Sequence, residues 1–212
     1  MKFLFNFGED VESFSYKVIN EREARASAGI MFLLGLLSLF SVYIFRTLLW
    51  AELFSITFIF EFFIRITVSP KYAPYMLLAE LIVYNQEPDW VEAEPKKFAW
   101  ALGMVLGLVM GYYILFDVIT MMRLGVCLVC LSLLFLESSF GICLGCLFYH
   151  SLNIKLNRCP GGVCEVQKRE PYNPKKLLLL IGFSTLFILT YTSLEYQENI
   201  GFNNIIINGD NQ

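Results

Sequence analysis

Ala26-Ser-Ala-Gly-Ile-Met-Phe-Leu-Leu-Gly-Leu-Leu-Ser-Leu-Phe-Ser-Val-Tyr-Ile-Phe45 is twenty residues long and carries no charge. As a helix rising ~1.5 Å per residue it reaches about 30 Å, the thickness of a bilayer's hydrocarbon core. A charged arm precedes it and no small-residue cleavage site follows, so the run reads as an anchor and not as a leader peptide. Comparable runs at 47–65, 98–116, 124–149 and 177–196 bring the predicted spans to five. With 57% hydrophobic residues and a mean hydropathy of +0.58, the expected fold class is an all-α membrane protein, a polytopic bundle of about five transmembrane helices.

Two stretches depart from plain spans. Residues 70–97 begin with Pro70 and Pro74, pass through the apolar Met76–Tyr84 segment and turn acidic at Glu87, Asp89, Glu92 and Glu94. That core is too short to cross, which predicts a short interfacial or re-entrant helix. In the third span Gly103, Gly107 and Gly111 make a small-xxx-small face, suited to close helix packing or to a homo-oligomer contact. The chain divides into a cytoplasmic arm (1–25), a four-span membrane domain (26–165), and a basic loop with an additional span and external tail (166–212).

Orientation follows from Lys and Arg. Of the sixteen, all but Arg46 and Arg123 fall in the N-terminal arm, the 65–97 connection or the 150–176 connection. The positive-inside rule then puts the N-terminus in the cytoplasm. Trp50, Tyr112, Tyr113, Tyr191 and Tyr196 are expected at the outer interface, and Trp100, Tyr149 and Tyr172 at the inner one.

All six cysteines lie between residues 127 and 164, as the pairs Cys127/Cys130, Cys143/Cys146 and Cys159/Cys164. Thiols at i and i+3 of a helix share a face, near enough to close a disulfide or share a metal. Cys159-Pro-Gly-Gly-Val-Cys164 reads instead as a loop bringing two sulfurs together. If 124–149 is one helix, Cys127 and Cys146 stand about 28 Å apart, so transfer between them needs a mobile carrier such as a quinone, a helix movement or a partner. Glu137-Ser-Ser-Phe-Gly141 is a polar, glycine-ended interruption that would break the helix before Cys143. A fresh helix N-terminus there would favour the thiolate.

Intramembrane ionisable residues cost ~2.5–3.5 kcal/mol each on insertion scales and need partners. Glu61 and Arg65 form an i,i+4 charge pair; Glu137 has no opposite charge within one turn and either accepts a thiol proton or binds Arg65 on another helix. His150 follows Cys146 by four residues, so Cys143, Cys146, His150, Cys159 and Cys164 form an alternative zinc or copper set. No cofactor is required by the sequence. A phosphate-binding glycine loop, an HExxH motif and a Ser/His/Asp constellation are all missing from it, and the basic residues flank spans and do not mark a nucleic-acid surface.

Asn20-Glu-Arg-Glu-Ala-Arg25, Glu61-Phe-Phe-Ile-Arg65, Glu94-Pro-Lys-Lys-Phe-Ala99, and Leu136-Glu137 with Gly141-Ile-Cys-Leu-Gly-Cys146 and Tyr149 together resemble a family of small bacterial integral membrane proteins, domain of unknown function 4395. The resemblance covers about residues 18–165 and implies a four-span inner-membrane bundle, to which the fifth span is an addition. It implies no reaction. Cys127 and Cys130 are not among the residues that carry it. The expected function is that of a bacterial inner-membrane thiol protein exchanging electrons or sulfane sulfur with a thioredoxin-like or sulfurtransferase partner. In it Cys143/Cys146 are the membrane-edge dithiol, Cys159/Cys164 the loop dithiol, Glu137 the proton acceptor, and Cys127/Cys130 a secondary pair. The alternatives are metal handling and a structural or assembly role.

Overall fold

A computed structural model of the chain describes residues 7–9, 15–116, 118, 121–151 and 174–209, with His150, Pro174 and all positions beyond 196 described by backbone alone. In chain order the elements are β1 (Val18–Asn20), α1 (Glu21–Phe40), α2 (Leu49–Thr67), α3 (Pro74–Ile82), β2 (Trp90–Glu92), α4 (Ala93–Leu115), α5 (Met121–Phe135), α6 (Leu144–Ser151) and α7 (Pro174–Gly209). Two widened π-helical turns extend α1 through Ser41–Phe45 and α5 through Leu136–Phe140. The chain is an all-α membrane protein. Among the described residues, Glu21–Phe45, Ala93–Leu115, Met121–Phe140 and Lys175–Tyr196 are long and apolar enough to cross a bilayer. The fifth expected span, α2, is 19 residues long but carries Glu52, Glu61 and Arg65.

One small β-ribbon sets the register of the bundle. β1 and β2 pair antiparallel, with Ile19 opposite Val91, and each runs directly into a helix. Asn20 is the N-cap of α1: its side-chain oxygen accepts from the N–H of Arg22 at 3.2 Å and of Asp89 at 3.1 Å, while its amide donates to Glu23 at 2.9 Å. The ribbon thus ties the starts of α1 and α4 together. Neither strand was anticipated in the arm or the acidic connection.

Helices α1, α2, α4 and α5 form the bundle, with α2 antiparallel to α4 and α5 antiparallel to α1. The glycine face of α4 is occupied within the chain and not by a second copy. A Cβ at Gly103 would lie 2.9 Å from Phe62, one at Gly107 2.9 Å from Phe58 and one at Gly111 2.7 Å from Ile59. In a bilayer the apolar surroundings give helices little hydrophobic reason to associate, so this close approach is what packs α2 against α4. Trp100, expected at an interface, is instead buried at 2% exposure and covers the Arg65 guanidinium at 4.9 Å.

The short helix α3 is too short to cross, as expected, and buries Tyr75, Met76, Leu77 and Ala79. α7 is longer than expected and lies at the periphery. Lys176 reaches Glu80 of α3 at 2.7 Å, Phe183 meets Phe60, and Tyr191 meets Trp50. Gly107→Val should lower the unfolding temperature of the purified protein, at a cost of about 1–3 kcal/mol for overpacking, and Phe58→Leu should recover part of it. Gly125→Ala, with nothing within 4 Å of the new Cβ, should not lower it.

Candidate functional site

The run at 124–149 is not one helix. α5 widens at Leu136–Phe140 and stops at Gly141, whose φ of 67° is left-handed. Any Cβ at Gly141 would also lie 2.9 Å from the Arg25 guanidinium, so glycine is required by conformation and by space. The N–H groups of Gly141 and Ile142 turn back to the carbonyls of Glu137 and Leu136 at 3.1 Å each, which closes the end of the widened turn.

Cys143 is therefore the N-cap of α6. Its carbonyl accepts the first helical bond from Leu147 N–H at 3.0 Å, and its Sγ accepts from Cys146 N–H at 3.3 Å. The two cysteines are joined as a disulfide with Cα atoms 5.2 Å apart, and both are half-buried. α6 packs across the first turns of α4: Gly145 lies against Ala99, and Phe148 and Tyr149 flank Phe98 at ring separations of 6.2 and 5.5 Å. This holds the disulfide beside a segment of α4 one turn beyond Lys96.

Lys96 is the centre of a buried charge cluster. Its ammonium lies 2.8 Å from Glu21 of α1 and 2.9 Å from Glu137 of the widened turn, with only 5% of its side chain exposed. The charge on Arg25, one turn along α1, also acts on Glu21. The partner of Glu137 is thus Lys96 and not Arg65, which corrects the alternative drawn from sequence. Glu21 and Lys96 were missed as site residues because both lie at helix starts, where charges normally meet water. The signal that pointed to them was the lack of any local partner for Glu137.

Arg65 keeps its expected pair and gains more. Its Nε and one terminal nitrogen donate to Glu61 Oε1 at 2.8 and 2.6 Å, and the terminal nitrogen also donates to Ser27 Oγ at 3.1 Å. Glu61 Oε2 accepts the backbone N–H of Tyr75 in the first turn of α3 at 2.8 Å, where the helix end favours negative charge. Glu61 and Arg65 are 0% and 1% exposed, so this ion pair has every visible mark of a structural clasp between α1, α2 and α3.

Cys127 and Cys130 are free thiols on α5, apart from this site. Cys159 and Cys164 lie outside the described residues, as does the side chain of His150. Of the alternative metal set only Cys143 and Cys146 are described, and they bond to each other. Among the described residues no group of three or more His, Cys, Asp or Glu is placed to hold a metal.

The model for the domain of unknown function family DUF4395 matches residues 19–153, which include all of the ribbon but Val18, the bundle, both charge clusters and the capping cysteines. The chain belongs to that family. α7 lies beyond the matched residues. No curated protein and no solved structure matches the chain.

Because the two clusters share no partner among the described residues, Glu137→Gln and Arg65→Gln should destabilise independently. Their double variant should lose the sum of the single losses, within about 0.5 kcal/mol, in a double-mutant cycle read by unfolding in detergent. Lys96→Met, which strands two carboxylates, should cost more than Glu137→Gln, in the range of about 3–5 kcal/mol for a broken buried pair.

Proposed function

We propose that the chain is a thiol protein of the bacterial inner membrane, and that its Cys143–Cys146 pair exchanges electrons or sulfane sulfur with a cytoplasmic thioredoxin-like or sulfurtransferase partner. The observation that carries this reading is the place of Cys143 at the start of α6, with Cys146 N–H directed at its sulfur. A helix N-terminus favours a thiolate through its unpaired N–H groups, and a half-buried sulfur remains open to attack.

The chemistry closes on one disulfide. In the reductive direction a partner dithiol attacks Cys143–Cys146, leaving two protein thiols and a partner disulfide. In sulfur transfer the Cys143 thiolate takes the outer sulfur of a partner persulfide and releases the partner thiol. Cys146 then attacks the Cys143 persulfide, restoring the disulfide and releasing sulfide. Glu137, six residues before Cys143 and 2.9 Å from the Lys96 ammonium, is the carboxylate proposed to take the thiol proton. Cys159 and Cys164, which lie outside the described residues, are the proposed second dithiol.

The distribution of Lys and Arg supports a cytoplasmic N-terminus and a multi-pass arrangement in which residues 150–176 face the cytoplasm. Reporter fusions at residue 168 should accordingly read cytoplasmic and fusions after residue 205 external. The opposite pattern would move the pair to the oxidising side.

With its Cys143–Cys146 disulfide intact, the chain should form a stable mixed disulfide with a thioredoxin-type protein that lacks its resolving cysteine, whose single thiolate breaks the S–S bond and leaves one thiol on the chain. Cys143→Ser should not, and Ser is itself a good N-cap, so that variant should fold. In Glu137→Gln, alkylation of the reduced pair near neutral pH should slow. Absence of any mixed disulfide together with a pair that no dithiol reduces in native membranes would end the proposal.

A further inference from the structure

The far end of the bundle, away from Lys96, contains a cavity of about 460 Å³ between α1, α2, α4 and α5. Its α1 wall runs from Gly35 to Arg46, eleven residues or roughly 16 Å along the helix axis. Leu131, Cys127 and Cys130 of α5 face it, and Arg46 and Arg123 line it at the end of the bundle. Arg46 closes the widened turn of α1 in the left-handed conformation, at φ 58°. The volume falls within the usual range for a small-molecule site.

Three features must be satisfied by one occupant: a long apolar slot, guanidinium donors at one end, and two free thiols on the wall. Cys130 is 6% exposed and Cys127 partly buried. Their i,i+3 spacing places the Cα atoms roughly 5 Å apart, within the Cα span of a disulfide, and the Cβ atoms roughly 5–6 Å apart, so α5 must tighten locally for the S–S bond to close. A fatty acid or phospholipid would use the slot and the arginines but give the thiols no part. A quinone uses all three, because it has a flat apolar ring, carbonyl oxygens that accept hydrogen bonds, and a capacity for two electrons and two protons.

We propose that this cavity is a quinone site and that Cys127 and Cys130 are its electron donors. The two S–H bonds break, one S–S bond forms, and the two electrons and two protons reduce the quinone to quinol. Arg46 holds a carbonyl oxygen, on which negative charge develops as the ring is reduced. This site does not depend on the reading of Cys143 and Cys146.

The test removes the other thiols. A full-length variant with Ser at 143, 146, 159 and 164 is reduced without oxygen in detergent, freed of reductant and mixed with a fully substituted decyl-benzoquinone. One quinol per chain, the loss of two thiols and a Cys127–Cys130 disulfide in the peptide map are expected. Leu131→Trp and, separately, Val42→Phe should slow the reaction at least about tenfold by filling the slot, with normal elution on size exclusion as the check on folding. Arg46→Gln should raise the quinone concentration for half-maximal rate by about tenfold, the equivalent of one lost charged hydrogen bond. The proposal is overturned by unreacted thiols, by a mass increase equal to the quinone, by a rate that neither filling variant changes, or by a tightly bound fatty acid that quinone does not displace.

Discussion

A lysine ammonium taken out of water must be matched at once by negative charge, and in this chain that requirement converges on Lys96. Glu21 and Glu137 supply it from two other helices. Meeting it fixes the start of α1, the start of α4 and the end of α5 at one point. The ribbon between β1 and β2 brings Glu21 to Lys96, and the widened turn at Leu136–Phe140 brings Glu137. Beyond this point the glycine face of α4 carries the packing along the bundle.

The same turn has a second effect. Widening α5 and then reversing the backbone at Gly141 releases the chain from the bundle axis, so α6 begins anew and lies across α4. The capping cysteine pair is a product of that break. Had the helix continued, Cys143 and Cys146 would have been two mid-helix thiols whose backbone N–H groups were already bonded. Charge neutralisation and thiol geometry are therefore coupled through five residues.

What sequence disclosed and what it withheld divide along the range of the interaction. The apolar runs, the shortness of α3, the break at Gly141 and the Glu61–Arg65 pair are all local, readable from spacing within a turn or a span. The ribbon joins residues some seventy positions apart through only three pairs, and no periodicity announces so short a strand. The Lys96–Glu137 contact joins residues 41 apart and depends on which helices are neighbours. Gly103, Gly107 and Gly111 announced a close contact but not its partner, which is α2 of the same chain. Trp100 looked like an interfacial residue because its position in the run was known and the guanidinium beneath it was not.

The two charge clusters also differ in when they can form during synthesis. Glu61 and Arg65 lie on one helix, so this pair can close as α2 leaves the ribosome, before α4 or α5 has been made. Glu21, by contrast, waits at the start of α1 through more than seventy further residues for Lys96, and both wait again for Glu137. The early pair enters the membrane already balanced in charge. The later contact acts as a latch, closed only once the fourth helix of the bundle is complete.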